Sequence, residues 1–270
     1  MKIAQISALA IGLVSLASGG VRVVIRVENT GEKKPALDQR LWVEKDRLRM
    51  DLKADGGGEH LVIYRKDKDA VFLVDPAGKS YVEMTREEIR QAAERMRQAV
   101  EKMREAMKSM PPQQREMMEK MMSGNPAMGL GDSAADARME YKKVGPAKAG
   151  SWSAVQYDGF RGGEKKVKVW VVDYGALGVT RADFEVMQEI GEFFRSLKIT
   201  PPTDFYRDSE VLKGLPVRTV TLDDAGKDHM QIDLVEVKKE GVPSSRFELP
   251  EGYARKKMEM PGGFGGPGPR

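Results

Sequence analysis

Polar and apolar residues alternate with period two along the first third of the chain. Val23, Ile25 and Val27 form one such run, followed by Leu41 with Val43, then Leu48, Met50 and Leu52, then Leu61 with Ile63. That period predicts half-buried antiparallel strands, because successive strand side chains point to opposite faces. Asp55-Gly56-Gly57-Gly58 and Asp75-Pro76-Ala77-Gly78 are rich in residues that accept turn geometry. Val71 to Val74 and Tyr81 to Val82 flank the second turn, so a β-meander is expected up to Met84.

The period changes at Thr85. Thr85-Arg86-Glu87-Glu88 has the spacing of a capping box, in which a hydroxyl and a carboxylate satisfy the first free amides of a helix. Ile89, Ala93, Met96, Val100, Met103, Met107 and Met110 then follow at four-three spacing, one stripe along a long helix. The opposite face is charged, with Glu94 and Arg97, Glu101 and Arg104, and Glu105 and Lys108 three apart. Pro111-Pro112 ends the helix. A shorter helix carrying Met117, Met118, Met121 and Met122 is expected to follow, ending at Ser123-Gly124-Asn125-Pro126 and completing a helical hairpin over 85–124.

Strands are expected to resume near Met139 to Val144, Trp152 to Tyr157 and Val167 to Val172. Thr180-Arg181-Ala182-Asp183 opens a second helix whose Phe184, Met187, Ile190, Phe194 and Leu197 share one face, so it should face the core. A last hairpin pairs Val217 to Leu222 with Met230 to Val237 around Asp223-Asp224-Ala225-Gly226. A closing strand is expected near Phe247, and a Gly/Pro-rich disordered tail over 261–270. The fold class is therefore α+β, with one domain over 20–260.

Composition narrows the function. With 45 basic and 41 acidic residues the formal charge is only +4, which lacks the single-sign field that nucleic-acid binding requires. At the N-terminus Lys2 precedes an apolar run from Ile3 to Leu16 and small residues from Ala17 to Gly20, the grammar of a signal peptide over 1–19, cleaved after Ala17 or Gly19. The run is shorter than the roughly 20 apolar residues of a membrane-spanning helix. No later segment is long and apolar enough either, so the mature chain is expected to be soluble, periplasmic or secreted. The chain has no Cys. It can therefore be neither acylated as a lipoprotein nor stapled by disulfides, and its stability must come from the core.

Lys213-Gly214-Leu215-Pro216-Val217 and Phe247-Glu248-Leu249-Pro250-Glu251-Gly252-Tyr253 resemble a bacterial exported family, domain of unknown function 4412. Leu48-Arg49-Met50, Val74-Asp75-Pro76 before Lys79-Ser80-Tyr81, and the Met-rich hairpin with Pro111-Pro112 follow the same pattern. The resemblance covers most of the mature chain. It implies the fold of the outer-membrane lipoprotein carriers (LolA-like), in which a curved antiparallel sheet half-closes around helices and cradles an acyl chain. It implies no catalytic residues.

The chain's two histidines, His60 and His229, stand far apart with no Cys nearby, so neither a zinc site nor any other cofactor is expected. Phosphate-binding, dinucleotide and nucleophile-elbow motifs are missing. The expected role is binding rather than catalysis, and the 17 methionines indicate where. Methionine is unbranched and polarizable, so a Met-lined surface repacks around variable apolar partners. The candidate ligand-binding residues are Met96, Val100, Met103, Met107, Met110, Met117, Met121, Phe184, Met187 and Phe194, and the candidate ligand is a lipid, an acyl chain or a lipoprotein. Two other readings stay open: a heptad surface for a partner helix or a second copy, and a copper(I) site of thioethers from Met117, Met118, Met121 and Met122.

Overall fold

The computed structural model describes residues 18–31, 35–53, 58–111, 113–114, 139–195 and 209–257. Its strands are β1 (Ser18–Asn29), β2 (Leu37–Val43), β3 (Arg47–Lys53), β4 (Glu59–Arg65), β5 (Ala70–Asp75), β6 (Ser80–Thr85), β7 (Glu140–Ala149), β8 (Trp152–Arg161), β9 (Glu164–Val172), β10 (Leu215–Leu222), β11 (Asp228–Val242) and β12 (Ala254–Lys256). Helix α1 (Arg86–Lys108) follows β6, α2 (Glu185–Arg195) follows β9, and the single turn α3 (Ser209–Leu212) precedes β10. All twelve strands form one open sheet in the order β12-β6-β5-β4-β3-β2-β1-β11-β10-β9-β8-β7. Neighbours are antiparallel except β12, which runs parallel to β6.

Two sequential meanders, β1 to β6 and β7 to β11, are joined by the pairing of β1 with β11, from Ser18 opposite Val242 to Asn29 opposite Met230. The halves differ in regularity. No register shift interrupts the pairs from β1·β2 to β5·β6. Every pair from β1·β11 to β8·β7 carries one. A bulge bends its strand and increases local twist, so five in succession bend that half of the sheet. The Trp152 indole N–H, at the start of β8, donates to the Leu234 carbonyl of β11 at 3.4 Å. These strands are three spacings apart, about 14 Å in a flat sheet.

One face of the sheet carries the main core. Val21, Val23, Leu41, Val43, Leu48, Tyr64, Val71 and Met84 pack there with Ile89 of α1 and with Phe184, Val186, Met187, Ile190 and Phe193 on or just before α2. The other face is covered in patches. Leu249 and Tyr253 pack on Leu61, Ile63, Phe72 and Val74, Phe247 packs on Trp42 and Val242, and Leu212 on Val167, Val169 and Val171.

Three expectations need adjustment. Phe247 is not in a strand but in the 3-10 turn Ser244–Phe247, buried against Trp42, and the closing strand is β12. Its aromatic ring serves as a plug on the outer face, which a periodic pattern does not reveal. The segment opened by Thr180 starts as a 3-10 turn, Arg181–Phe184, and becomes α-helical at Glu185, although the Thr180–Asp183 capping box is present. β7 runs on past Val144 through Gly145 and Pro146 to Ala149 because a bulge between Lys143 and Gly145 absorbs the awkward residues. The second helix of the hairpin, beyond Gln114, and the 261–270 tail lie outside the described residues.

Candidate functional site

The site is built from two neighbouring rows of cross-strand pairs. In the first, Val21, Val43, Leu48, Tyr64, Val71 and Met84 stand opposite one another across β1 to β6. All six are buried. The second row lies two residues further along each strand: Val237, Val23, Leu41, Met50, Val62, Leu73 and Val82, in unbroken register from β11 to β6. Every residue in it is apolar, yet its burial is uneven: Val23 and Leu41 are buried, Val237, Met50, Val62 and Val82 are half-buried, and Leu73 is 42% exposed. Among the described residues the helical cover therefore closes the first row and leaves the β3 to β6 end of the second only partly covered.

Both helices are fastened along the closed row. The Tyr64 ring meets Phe193 of α2 edge-on at 6.0 Å, and Phe193 meets Phe194 at 5.3 Å. The capping box of α1 is formed, with the Thr85 hydroxyl accepting from the Glu88 amide and the Glu88 carboxylate accepting from the Thr85 amide. The Arg86 guanidinium lies 5.2 Å from the centre of the Phe193 ring and pairs with Asp69 at 2.9 Å, so it ties α1 to both α2 and the sheet. Lys66 holds Glu189 at 2.6 Å, and Lys239 of β11 holds Asp183 at 3.0 Å. Burial raises the Asp183 carboxyl, but Lys239 and the Thr180 amide and hydroxyl outweigh it and hold the group below the usual carboxylate range.

Tyr64 stands out among these side chains. It is 0% exposed, and its hydroxyl has no hydrogen-bond partner among the described residues. Burial pushes the phenol up to about 12, and the charge of Glu189 adds to the effect.

Of the residues expected from sequence, Phe184 and Met187 are buried in the main core and Phe194 packs on its margin. Met107 is 6% exposed but falls in no cluster of buried side chains among the described residues, and Met103 and Met110 are half-buried. Met96 and Val100 lie within α1, and their side chains are outside the described set, as are Met117 and Met121 altogether. Among the described residues the structure thus unites Phe184, Met187 and Phe194 and does not join Met107 to them. Sequence reasoning missed Tyr64, Val62, Leu73 and Val82 as a group. Their alternation marks each as strand, but only strand register aligns them.

Fold and site together define a mixed α+β protein with an open, largely antiparallel sheet whose one face holds a partly uncovered apolar row beside a short helix. No family model matches the chain, and no curated protein matches it. Among solved structures it is similar to an uncharacterized conserved protein from Thermus thermophilus, at 10% identity and TM-score 0.46 over 90% of this chain and 93% of that one. A chain of the Pseudomonas aeruginosa MucA/MucB complex matches at 8% identity and TM-score 0.37, with 86% of this chain covered but only 56% of that one. A LolA superfamily protein from Nitrosomonas europaea matches at 6% identity and TM-score 0.27, over 86% of this chain and 90% of that one.

Proposed function

We propose that this is an exported binding protein, not an enzyme, that carries an apolar chain on the inner face of a curved, half-open sheet. The cargo is a lipid or a lipidated segment. The observation that carries this reading is the second row, seven apolar side chains in register that are left open at Leu73. Its open end, from Met50 to Val82, spans three strand spacings, about 14 Å, enough to lay about a dozen methylenes in line. Each buried methylene contributes about 0.8 kcal/mol, so a dozen would give useful affinity after the cost of ordering the chain. Export rests on the leader-like N-terminus, and among the described residues no helix is long and apolar enough to cross a membrane.

Native mass spectrometry of protein recovered from the exporting cell, with uptake of a fluorescent fatty acid by the purified protein, tests the reading. Bound lipid and saturable uptake are expected. Leu73→Asp is expected to weaken uptake at least tenfold while leaving the melting temperature within about 2 °C, since the residue is already 42% exposed. Recovery of apo protein alone, together with no uptake, would remove the proposal.

The alternative of a heptad surface for a partner helix is less well supported. Met107, in the middle of that stripe's C-terminal half, is only 6% exposed, which favours a stripe covered within the chain. A monomer in sedimentation is the corresponding expectation. The methionines of the copper(I) reading lie outside the described residues.

A further inference from the structure

We infer that the outer face of β2 to β6 is a peptide-docking groove, filled here by the chain's own C-terminal strap, Pro243–Lys256, and able to take a separate segment with the same anchors once the strap lifts. The strap leaves β11 in the middle of the sheet and crosses the outer face to the far edge, where β12 pairs with β6. Four side chains anchor it. Phe247 is 1% exposed against Trp42, Glu248 accepts from Arg65, and Leu249 and Tyr253 pack on Leu61, Ile63, Phe72 and Val74.

The sheet's side of this contact is arranged without the strap. Arg47 bonds Glu44 at 2.7 Å and lies 5.2 Å from the centre of the Phe247 ring. Arg49 bonds Asp51 at 2.6 Å and donates to the Arg246 carbonyl at 3.2 Å. Arg65 gives two hydrogen bonds to Asp67 and a third to Glu248. Each holding acid lies two or three residues from its arginine, so all three cations are positioned locally, and groups already in place bind at lower cost. The strap's own backbone is held more loosely. After Val242 and before Ala254 its backbone–backbone bonds, among the described residues, run within the strap, from the Arg246 amide to Pro243 and from the Glu248 amide to Ser245. The first to the sheet is the Ala254 amide on the Lys79 carbonyl at 2.9 Å. A segment held by side chains and one short strand opens at lower free energy than the strands beneath it. Lifting it bares Trp42, Leu61, Ile63, Phe72 and Val74, the kind of contiguous apolar surface that marks an interaction site.

The test has two arms. In native-state hydrogen exchange on the unaltered full chain, the Ala254 amide is expected to exchange at least about a hundredfold faster than the protected amides of β4 and β5, through local opening. The second arm uses a full-chain variant, Phe247→Asp with Tyr253→Asp, whose strap cannot seat two of its anchors, and a fluorescent peptide of residues 243–257 with the natural sequence. The variant is expected to keep its sheet by circular dichroism and to bind the peptide saturably. The wild type should bind it at least about tenfold more weakly, because its own strap competes at an effective concentration of roughly millimolar order. Adding Arg65→Glu to the variant should weaken the peptide about tenfold, and a peptide carrying Glu248→Lys should recover the loss. Exchange of the Ala254 amide no faster than that of β4 and β5 overturns the inference. So does a variant that loses its sheet, since the groove would then not exist without the strap, and so does a folded variant that ignores the peptide. Peptide binding indifferent to the charge at Arg65 overturns it as well, as adhesion to bare apolar surface. None of these outcomes bears on cargo at the inner face.

Discussion

Tyr64 shows how much one side chain's surroundings alter its chemistry. In an unfolded chain its phenol titrates near 10, whereas in the fold burial holds it at about 12. Below pH 10 the group is neutral in both states and contributes no pH dependence. Between about 10 and 12 the unfolded chain gives up the proton and the folded one keeps it, so stability must fall as pH rises through this window. Tyr64→Phe is therefore expected to move the alkaline unfolding midpoint upward, measured by circular dichroism against pH. An unchanged midpoint would mean that the phenol ionises in place. Nothing in the residues around Tyr64 announces this. His60-Leu61-Val62-Ile63-Tyr64 reads as an ordinary strand, and the ring is met edge-on by Phe193, 129 positions later.

At the scale of single elements the chain is far more legible. The Thr85 box, the stripe from Ile89 and the stop before Pro111 define α1 within a residue or two, because capping and amphipathic spacing depend only on neighbours. Thr85→Ala is expected to cost about 1 kcal/mol, seen as a lower urea midpoint, with a loss of helical signal if α1 frays from its start. The turn after β5 is equally local: the Asp75 carboxylate accepts from the Gly78 amide at 3.0 Å, as the Asp-Pro-Ala-Gly motif implies. The turn after β10 follows the same rule, with the Asp223 carboxylate accepting from the amides of Ala225 and Lys227. The bulges are a different matter. Val144, Val217 and Val235 are the unpaired residues of three of them. As β-branched residues they look like any other strand position, and the bulges become visible only in the register of the partner strand.

Across the whole molecule the decisive contact is β1 against β11, which joins residues more than two hundred positions apart. It makes one sheet of two meanders, and such long-range pairing slows folding because loop-closure entropy must be offset before the contacts form. It also bears on where the proposed leader would be cleaved. Ser18 and Gly19 already pair with Val242 and Gly241, so cleavage after Ala17 leaves β1 whole whereas cleavage after Gly19 removes two paired residues. N-terminal sequencing of the exported protein is expected to begin at Ser18. A protein beginning at Gly20 would contradict this and should melt lower than one begun at Ser18.

The sequence by itself determined the α+β class, most of the strands, the first helix with its cap, and the core-facing side of the second, since each follows from hydrogen bonding and periodicity among residues near one another. Tertiary structure alone decided the order of the strands, the five bulges, the alignment of Val62, Leu73 and Val82 into a partly open row, and the burial of the Tyr64 hydroxyl. Those features depend on which distant segments meet and in what register, and a one-residue slip in any of these pairings would turn the same alternating residues to the other face.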